Sequence, residues 1–291
     1  MTRVALVTGA SSIIGSALAR ELCAQGFVVY AGDLNLKAIS YLRNFGIIPI
    51  LLDITHQGSV ESAREMIESN NGQLDVLVNN TDLDYHGAAT DMRDKDIIAC
   101  YNANVFGPMR VVREFAPLLI KAEGTITFTG SVAGIFPLPF SSTYNSSKAA
   151  IHQYAATLRM EMKPFNVKVL NFVTGSRKSD HHDQFAIRRN SIYNRPDLNE
   201  AYNHREVFLK SRIDPDEYAA RVVRDILVAG VDSSFDNYLG VKTPRVITLQ
   251  HWCPRWIVEK ILVSQFKLGK AYRRIRSDSQ STCEFRFNDT A

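Results

Sequence analysis

The sequence predicts an α/β protein: a single domain built on a doubly wound parallel sheet, followed by a C-terminal amphipathic helical extension. Three observations support this prediction. Over the first two thirds of the 291 residues, apolar β-branched runs alternate with helical patterns, as they do where helices join parallel strands. A glycine-containing turn joins the first strand to the first helix. Hydrophobic residues make up 45% and charged residues 22% of the chain, which fits one large globular domain and excludes long disorder and a polytopic membrane protein.

Six strands are predicted from the apolar runs, over 4–8, 27–31, 47–52, 74–79, 125–129 and 167–172. The intervening segments have helical patterns. The helix that contains Tyr144 is expected to end at Pro164, because proline cannot continue a helix. The polar, irregular stretch 174–212 predicts a lid, and a further helix over 215–228 precedes a short apolar run at 238–241. The core domain is therefore expected over 1–241 and the extension over 242–291.

Cysteine spacing and charge distribution exclude other classes of protein. The four cysteines have no paired spacing, which argues against disulfide and zinc frameworks and indicates a reducing compartment. No signal peptide precedes the first strand, so a cytoplasmic location is expected. The net charge is +4, and residues 254–276 hold seven Lys or Arg against one acid. Because the basic residues are concentrated in the extension, we expect no nucleic-acid partner.

The turn after the first strand, residues 8–15, reads Thr-Gly-Ala-Ser-Ser-Ile-Ile-Gly and leads directly into a helix. Such a turn directs backbone N–H groups and the positive helix end toward a pyrophosphate. Gly9 and Gly15 permit the tight turn and the close backbone approach because they lack a Cβ. The alternative is an ordinary strand–helix turn without a ligand.

Asp33 follows the second predicted strand, 18 residues after Gly15. This is close to the spacing of about 20 residues at which a carboxylate binds the ribose hydroxyls of a dinucleotide and repels a 2′-phosphate. The neighbouring Leu34 and Asn35 supply no cation for such a phosphate. NAD(H) is therefore expected to bind more tightly than NADP(H). The plainer alternative is a solvated loop acid.

Tyr144 and Lys148 lie four residues apart in a predicted helix and therefore share a face. A nearby ammonium stabilises tyrosinate and lowers a tyrosine pKa, as general acid/base chemistry requires. Ser131 lies thirteen residues before Tyr144, just after a predicted strand, where its hydroxyl can polarise a substrate carbonyl. By itself Ser131 would be read as an ordinary turn hydroxyl. No Gly-x-Ser-x-Gly sequence surrounds it, so a serine nucleophile is excluded.

Taken together, these residues resemble the short-chain dehydrogenase/reductase family over about residues 3–241. The resemblance implies a Rossmann-like fold and an Asn-Ser-Tyr-Lys tetrad, which matches Asn104, Ser131, Tyr144 and Lys148. It implies that Tyr144 exchanges a proton with the carbonyl or alcohol oxygen, and that Lys148 holds the nicotinamide ribose. Ser131 would then orient the substrate oxygen, and Asn104 would support a water chain to Lys148.

The same resemblance implies NAD(P)(H) as the cofactor. Besides Tyr144 and Lys148, the matching cofactor-binding positions are Gly9, Ile14, Gly15, Asp33, Asp53 (adenine), Asn80, Arg113, Val173 and Ser179 (carboxamide).

A narrower resemblance, to fungal 1-acyldihydroxyacetone-phosphate reductases, rests on segments 147–155, 161–167 and 191–194. It implies reduction of a ketone, or oxidation of the secondary alcohol, on a small apolar or lipid-like metabolite. A homo-oligomer is expected.

Two residues depart from the family pattern. Ile13 stands where the family has the middle glycine of the loop, and Asp82 stands where the family has the glycine of Asn-Asn-Ala-Gly. Ile13 is expected to crowd the pyrophosphate, and Asp82 to place a negative charge near an anionic cofactor. Two alternatives therefore stay open. One is a fold reused for cofactor-independent isomerisation, cyclisation or dehydration; the other is a non-catalytic binding protein.

The predicted lid contains a cationic cluster, Arg177, Lys178, His181 and His182. It would either receive an anionic headgroup or form a solvated loop. No metal site is predicted at His181-His182-Asp183, because no fourth ligand lies at a zinc spacing.

The extension predicts an amphipathic helix. Its apolar side carries Ile257, Val258, Ile261, Leu262 and Phe266, with Trp252 and Trp256 at its start. One interpretation is peripheral contact of 254–276 with an anionic membrane, such as the endoplasmic reticulum or a lipid-droplet surface. The other is a helix packed on the domain or on a second subunit.

Overall fold

The computed structural model describes residues 2–175, 191–198, 213–240 and 252–277. Seven parallel strands form one sheet in the order β3-β2-β1-β4-β5-β6-β7. They are β1 Val4–Thr8, β2 Val28–Asp33, β3 Ile48–Leu51, β4 Val76–Asn79, β5 Thr125–Ser131, β6 Lys168–Thr174 and β7 Asp236–Leu239. The predicted doubly wound α/β fold is confirmed.

The helices within the described residues alternate with the strands. They are α1 Ile13–Ala24, α2 Leu36–Ile39, α3 Gln57–Asn71, α4 Asp94–Tyr101, α5 Gly107–Lys121, α6 Ser142–Met162, α7 Pro215–Val228, α8 Arg255–Gln265 and α9, residues 268–277. One turn of π-helix, Asn102–Phe106, joins α4 to α5.

Alternate strand residues face opposite sides of the sheet and build two cores. On one side, Ala5 and Val7 of β1 pack with α1 and α7. On the other side, Val4 and Leu6 pack with α3, α5 and α6. Burying both sides in this way explains why the strands are almost continuously apolar in sequence.

The predicted strand positions are correct to within two residues. β5 and β6 each run two residues beyond the predicted end, because Gly130 and Ser131 pair with Val173 and Thr174. Ser131 is therefore the last residue of a strand, whereas the sequence placed it just after the strand end. The chain reverses its winding direction between β1 and β4, and in such sheets a crevice opens at the carboxyl ends of the strands.

The apolar side of α8 is buried against the domain. Val258, Leu262 and Phe266 form a small core with Phe136 and Leu198. Of the two interpretations of the extension, the structure therefore has the helix packed on its own domain. No helix within the described residues is long and apolar enough to cross a membrane.

Candidate active site

Tyr144 and Lys148 occupy the first two turns of α6 and lie beside the end of β5. The Lys148 Nζ lies 5.5 Å from the centre of the Tyr144 ring and donates a hydrogen bond of 3.0 Å to the Thr129 carbonyl. Tyr144 is 8% exposed and the Lys148 side chain 3%. The predicted one-turn spacing thus brings a phenol and an ammonium together in a dry environment.

A third charged group, Asp82, joins this pair from the loop after β4. The Tyr144 hydroxyl donates to Asp82 Oδ2 at 3.0 Å, and Lys148 Nζ lies 3.0 Å from Asp82 Oδ1. The Asp82 side chain is only 8% exposed. From the sequence we expected Asp82 to lie near an anionic cofactor; its direct contact with both Tyr144 and Lys148 was missed. An aspartate in place of the family glycine was the signal in the sequence that position 82 is unusual. The residues near Asp82 in the sequence did not indicate that Tyr144 and Lys148 are its partners.

Ser131 ends β5 and is held by two hydrogen bonds. Its Oγ accepts from the Ala133 N–H at 3.1 Å, and its own N–H donates to His152 Nε2 at 3.1 Å. Because the hydroxyl is an acceptor in the first bond, its own hydrogen can be donated to a second oxygen. The role of Ser131 in orienting a substrate oxygen stays a prediction.

Asn104 lies on the π-helical turn and fastens the loop after β4 to α6. Its Oδ1 accepts from the Leu83 N–H at 2.8 Å, and its Nδ2 donates to the Leu83 carbonyl at 2.9 Å and to Ser147 Oγ at 3.0 Å. The side chain therefore positions the residue next to Asp82. The water chain to Lys148 that the resemblance implies stays a prediction.

A cleft of about 450 Å³ extends from the glycine turn to Asp82. Its lining includes five of the predicted cofactor residues, namely Gly9, Ile14, Asp33, Asp53 and Asn80. Gly9 has a φ of +65°, and a Cβ on it would lie 2.9 Å from the Thr81 Cα. A Cβ on Gly15 would lie 2.2 Å from the Gly9 carbonyl oxygen. Both glycines are thus required by the shape of the turn.

The two predicted carboxylates of the cleft are held by neighbouring backbone. Asp33 accepts from the Ser11 N–H at 2.9 Å and from the Asn35 N–H at 3.0 Å. Asp53 accepts from the N–H and the hydroxyl of Thr55, at 2.8 and 2.6 Å. Each carboxylate has lone pairs beyond these bonds with which to accept from a ligand hydroxyl or amine.

Asn80 lines the cleft and also braces the glycine turn. Its Nδ2 donates to the carbonyls of Thr8 and Gly9, both at 3.1 Å. Ile13, the first residue of α1, lines the same cleft and is half-buried. The predicted crowding of a pyrophosphate by Ile13 stays a prediction.

Two of the predicted cofactor residues, Arg113 and Val173, lie apart from the cleft. Arg113 lies on the exposed side of α5 and bonds to Gln57 and Glu114. It is one helical turn beyond Arg110, whose guanidinium does reach the Ile54 carbonyl at the cleft. Val173 is fully buried within β6. Ser179, like the cationic lid cluster and His181-His182-Asp183, lies outside the described residues.

His152, one turn beyond Lys148 on α6, is half-buried and neutral at physiological pH. Burial, and next to it the charge of Lys148, lower the pKa of His152 from 6.5 to about 4. An unfolded chain therefore binds a proton between these pH values that the folded chain does not bind. The free energy of unfolding is fully retained above about pH 6.5 and falls by about 3 kcal/mol as the pH drops to about 4.

We expect His152→Gln to remove this part of the acid destabilisation, since glutamine does not titrate. Urea unfolding of both proteins across this pH range measures their free energies of unfolding. The difference between the two values at each pH gives the effect of His152 alone, because the carboxylates titrate in both proteins. Two curves that stay parallel from neutral pH to about pH 4 would contradict the assignment.

Comparison with known proteins agrees with this geometry. The short chain dehydrogenase family profile matches residues 3–189. A Saccharomyces cerevisiae protein named NADPH-dependent 1-acyldihydroxyacetone phosphate reductase is 38% identical over 287 residues, which cover 96% of each chain. A short-chain dehydrogenase structure from Streptomyces avermitilis superposes with a TM-score of 0.75 at 24% identity, covering 94% of this chain and 98% of the other. The family match and the similarity along the whole chain lead to one conclusion: this protein belongs to the short-chain dehydrogenase/reductase family and is an oxidoreductase.

Proposed function

We propose that this enzyme uses a nicotinamide dinucleotide to interconvert a ketone and its secondary alcohol on an apolar or lipid-like metabolite. The observation that carries the proposal is the buried Tyr144–Lys148 pair, which lies beside the Asp82 end of a cleft whose other end is a glycine turn. The substrate class is supported by the yeast relative, whose name assigns it an acylated dihydroxyacetone phosphate.

The cleft suits a dinucleotide at the end formed by the glycine turn. The N-terminus of α1, capped by Ser12, borders the cleft, and Gly9 and Gly15 permit the tight turn that leads into it. The Asp33 carboxylate is placed to accept from ribose hydroxyls. When bound, the dinucleotide supplies or accepts the hydride.

Residues of the protein itself transfer the proton. In the reductive direction, Tyr144 donates its hydroxyl proton to the carbonyl oxygen as the alcohol forms. Lys148 stabilises the resulting tyrosinate through its charge. Ser131 donates a hydrogen bond to the same substrate oxygen and so holds it at the phenol.

The test combines binding with product analysis on the full chain. Reduced dinucleotide should be consumed when an acylated dihydroxyacetone phosphate or another apolar ketone is added, with the alcohol as product. A chain that binds neither dinucleotide and reduces none of these ketones would refute the proposal.

Asp33 leads us to propose a preference for NAD(H). A carboxylate at the end of β2 repels a 2′-phosphate, and Leu34 and Asn35 offer no cation. NADH should therefore bind at least about tenfold more tightly than NADPH. Asp33→Asn should reduce the ratio of NADH affinity to NADPH affinity. Asp53→Asn, which makes the same charge change in the same cleft, should leave this ratio unchanged. Calorimetric titration measures each affinity, and tighter NADPH binding by the unaltered chain would contradict the preference. The yeast relative, named for NADPH, differs on this point.

A second candidate function is cofactor-independent proton transfer, as in isomerisation, cyclisation or dehydration. The observation that favours it is the Tyr144–Asp82–Lys148 cluster, which is a complete acid/base set without a cofactor. Product formation at an undiminished rate in the absence of dinucleotide would establish this function in place of the first.

We further propose peripheral contact of segment 254–276 and its flanking Trp252 with an anionic membrane, at the cytoplasmic side of the endoplasmic reticulum or a lipid droplet. Because the apolar side of α8 is buried, the contact must use exposed groups instead. Trp252 and Trp256 are 84% and 58% exposed, and Lys260 Nζ lies 4.8 Å from the Trp256 ring centre. Tryptophan beside cations is typical of interfacial segments.

The double variant Trp252→Ala with Trp256→Ala should reduce binding to phosphatidylserine-containing vesicles about tenfold or more, while leaving the fold unchanged. Phe165→Ala removes another exposed aromatic residue and is the control. Vesicle sedimentation measures the binding, and equal sedimentation of all three proteins would refute the contact.

The expected homo-oligomer stays a prediction that light scattering of the full chain tests.

A further inference from the structure

We infer that Asp82 is the internal counter-ion of the catalytic pair. Its carboxylate holds the Tyr144 hydroxyl and the Lys148 ammonium in the resting enzyme and gives up both bonds when a ligand engages them. This inference rests on the proposed function in one respect, namely that dinucleotide and carbonyl bind at this end of the cleft.

The contacts of Asp82 differ from those of a surface acid. Both carboxylate oxygens are engaged at 3.0 Å, one by the Tyr144 hydroxyl and one by the Lys148 ammonium. Asp82 and Lys148 have side chains that are 8% and 3% exposed, so solvent screens the pair little. Breaking a buried pair of this kind leaves an uncompensated charge. The carboxylate is thus strongly bound until another group replaces it.

The loop that carries Asp82 is attached to neighbouring elements at two points, Leu83 and His86. Both backbone polar groups of Leu83 bond to the Asn104 side chain, at 2.8 and 2.9 Å. Three residues further on, His86 Nδ1 lies 2.9 Å from the hydroxyl of Ser141, the residue that precedes α6. These bonds attach the loop after β4 to the helix that carries Tyr144. The position of the carboxylate is therefore built into the fold.

Two other titratable groups near the pair, Cys100 and His152, are neutral at physiological pH. Burial raises the pKa of the Cys100 thiol on α4 to about 11. Burial, with the charge of Lys148, lowers the pKa of His152 on α6 to about 4. Asp84, two residues after Asp82, is paired with His86 Nε2 at 3.0 Å. Among the described residues, Asp82 is thus the carboxylate in contact with Lys148.

This arrangement has two consequences for ligands. A carbonyl oxygen must take the Tyr144 hydroxyl away from a carboxylate, which is a stronger acceptor than a neutral oxygen. A dinucleotide must approach a buried negative charge with its own negative charges. Asp82 therefore weakens dinucleotide binding and keeps the phenol proton engaged until a ligand displaces the carboxylate.

The first measurement is dinucleotide affinity by calorimetry, with NADH and with NADPH, for the full chain. Asp82→Asn retains the shape of the side chain and removes its charge. We expect this variant to bind both dinucleotides at least about tenfold more tightly than the unaltered protein does. Asp84→Asn makes the same charge change two residues away and should stay within about twofold of the unaltered protein. If the unaltered protein binds a dinucleotide, unchanged or weaker binding by Asp82→Asn would overturn the inference, as would an equal gain in Asp84→Asn.

The second measurement needs no cofactor and separates this inference from the proposed function. The tyrosinate absorbance of Tyr144 is the difference between each protein and its Tyr144→Phe counterpart. Without the Asp82 charge, Lys148 is free to stabilise the phenolate, so Asp82→Asn should form tyrosinate at lower pH.

Asp82→Gly should likewise form tyrosinate at lower pH. It provides a second variant for this measurement if Asp82→Asn fails to fold. Asp82→Glu, which retains the charge, should titrate like the unaltered protein. A shift in tyrosinate formation without dinucleotide binding in any variant would support the inference and refute the proposed cofactor. Unshifted tyrosinate formation in Asp82→Asn and Asp82→Gly would refute the inference, whatever the dinucleotide does.

Discussion

Tyr144→Phe is expected to reduce turnover about a thousandfold or more while the protein stays folded. Only the hydroxyl is removed, and with it the proton that the carbonyl oxygen must receive. The ring keeps its buried position, and Asp82 keeps its ion pair with Lys148. The free energy of unfolding should therefore fall by only about 1.5–3 kcal/mol, the usual net value of a hydrogen bond to a charged group. Steady-state kinetics and urea unfolding of the same preparations measure the two effects.

Tyr154→Phe is the matched control for this variant. Tyr154 is on the same helix, and its ring packs edge-on against Phe128 on the core side, with ring centres 6.0 Å apart. Removing its hydroxyl should leave turnover within about twofold, because it does not contact the Tyr144–Asp82–Lys148 cluster. Turnover in Tyr144→Phe close to that of Tyr154→Phe would remove the phenol from the mechanism.

Gly15→Ala is expected to disrupt the glycine turn. The added Cβ would lie 2.2 Å from the Gly9 carbonyl oxygen and 2.8 Å from Asn80 Nδ2. Neither neighbour can move freely, since Asn80 also bonds to the Thr8 carbonyl at 3.1 Å. Overpacking of this severity costs about 3 kcal/mol of unfolding free energy. Dinucleotide affinity should fall about a hundredfold or more, because the displaced turn belongs to the proposed pyrophosphate site.

Gly58→Ala provides the same substitution in the first turn of another helix, α3. There the nearest atoms to a Cβ belong to His56, at 3.6 and 3.8 Å, which is ordinary contact distance. This variant should keep both stability and dinucleotide affinity. Thermal unfolding and calorimetry on the two proteins test the comparison. Equal behaviour of Gly15→Ala and Gly58→Ala would show that the turn tolerates a side chain and is not shaped for close approach.

The candidate site was predicted from sequence where its residues are close along the chain or follow strand ends. Tyr144 and Lys148 were placed together by helical spacing alone. The motif, the spacing and the family resemblance predicted Gly9, Asp33 and Asn80 as cofactor residues, and all three line one cleft because parallel strands end at the same edge of a sheet. Arg113 is a case in which matching by position was insufficient. Arg113 lies one turn beyond Arg110 on α5, and its side chain bonds to Gln57 outside the cleft.

The sequence by itself determined the α/β class, the strands to within two residues, the glycine turn and the Tyr144–Lys148 pair. Each of these depends on local periodicity or on short spacings, which fix backbone geometry without reference to the rest of the chain. Only the tertiary structure decided that Asp82 contacts Tyr144, a residue 62 positions away. Only it decided that the apolar side of α8 is covered by Phe136 and Leu198 and is not left for a membrane. Contacts of this kind depend on how a loop or a helix packs against distant parts of the chain, and an amphipathic pattern or an isolated acid is compatible with several partners.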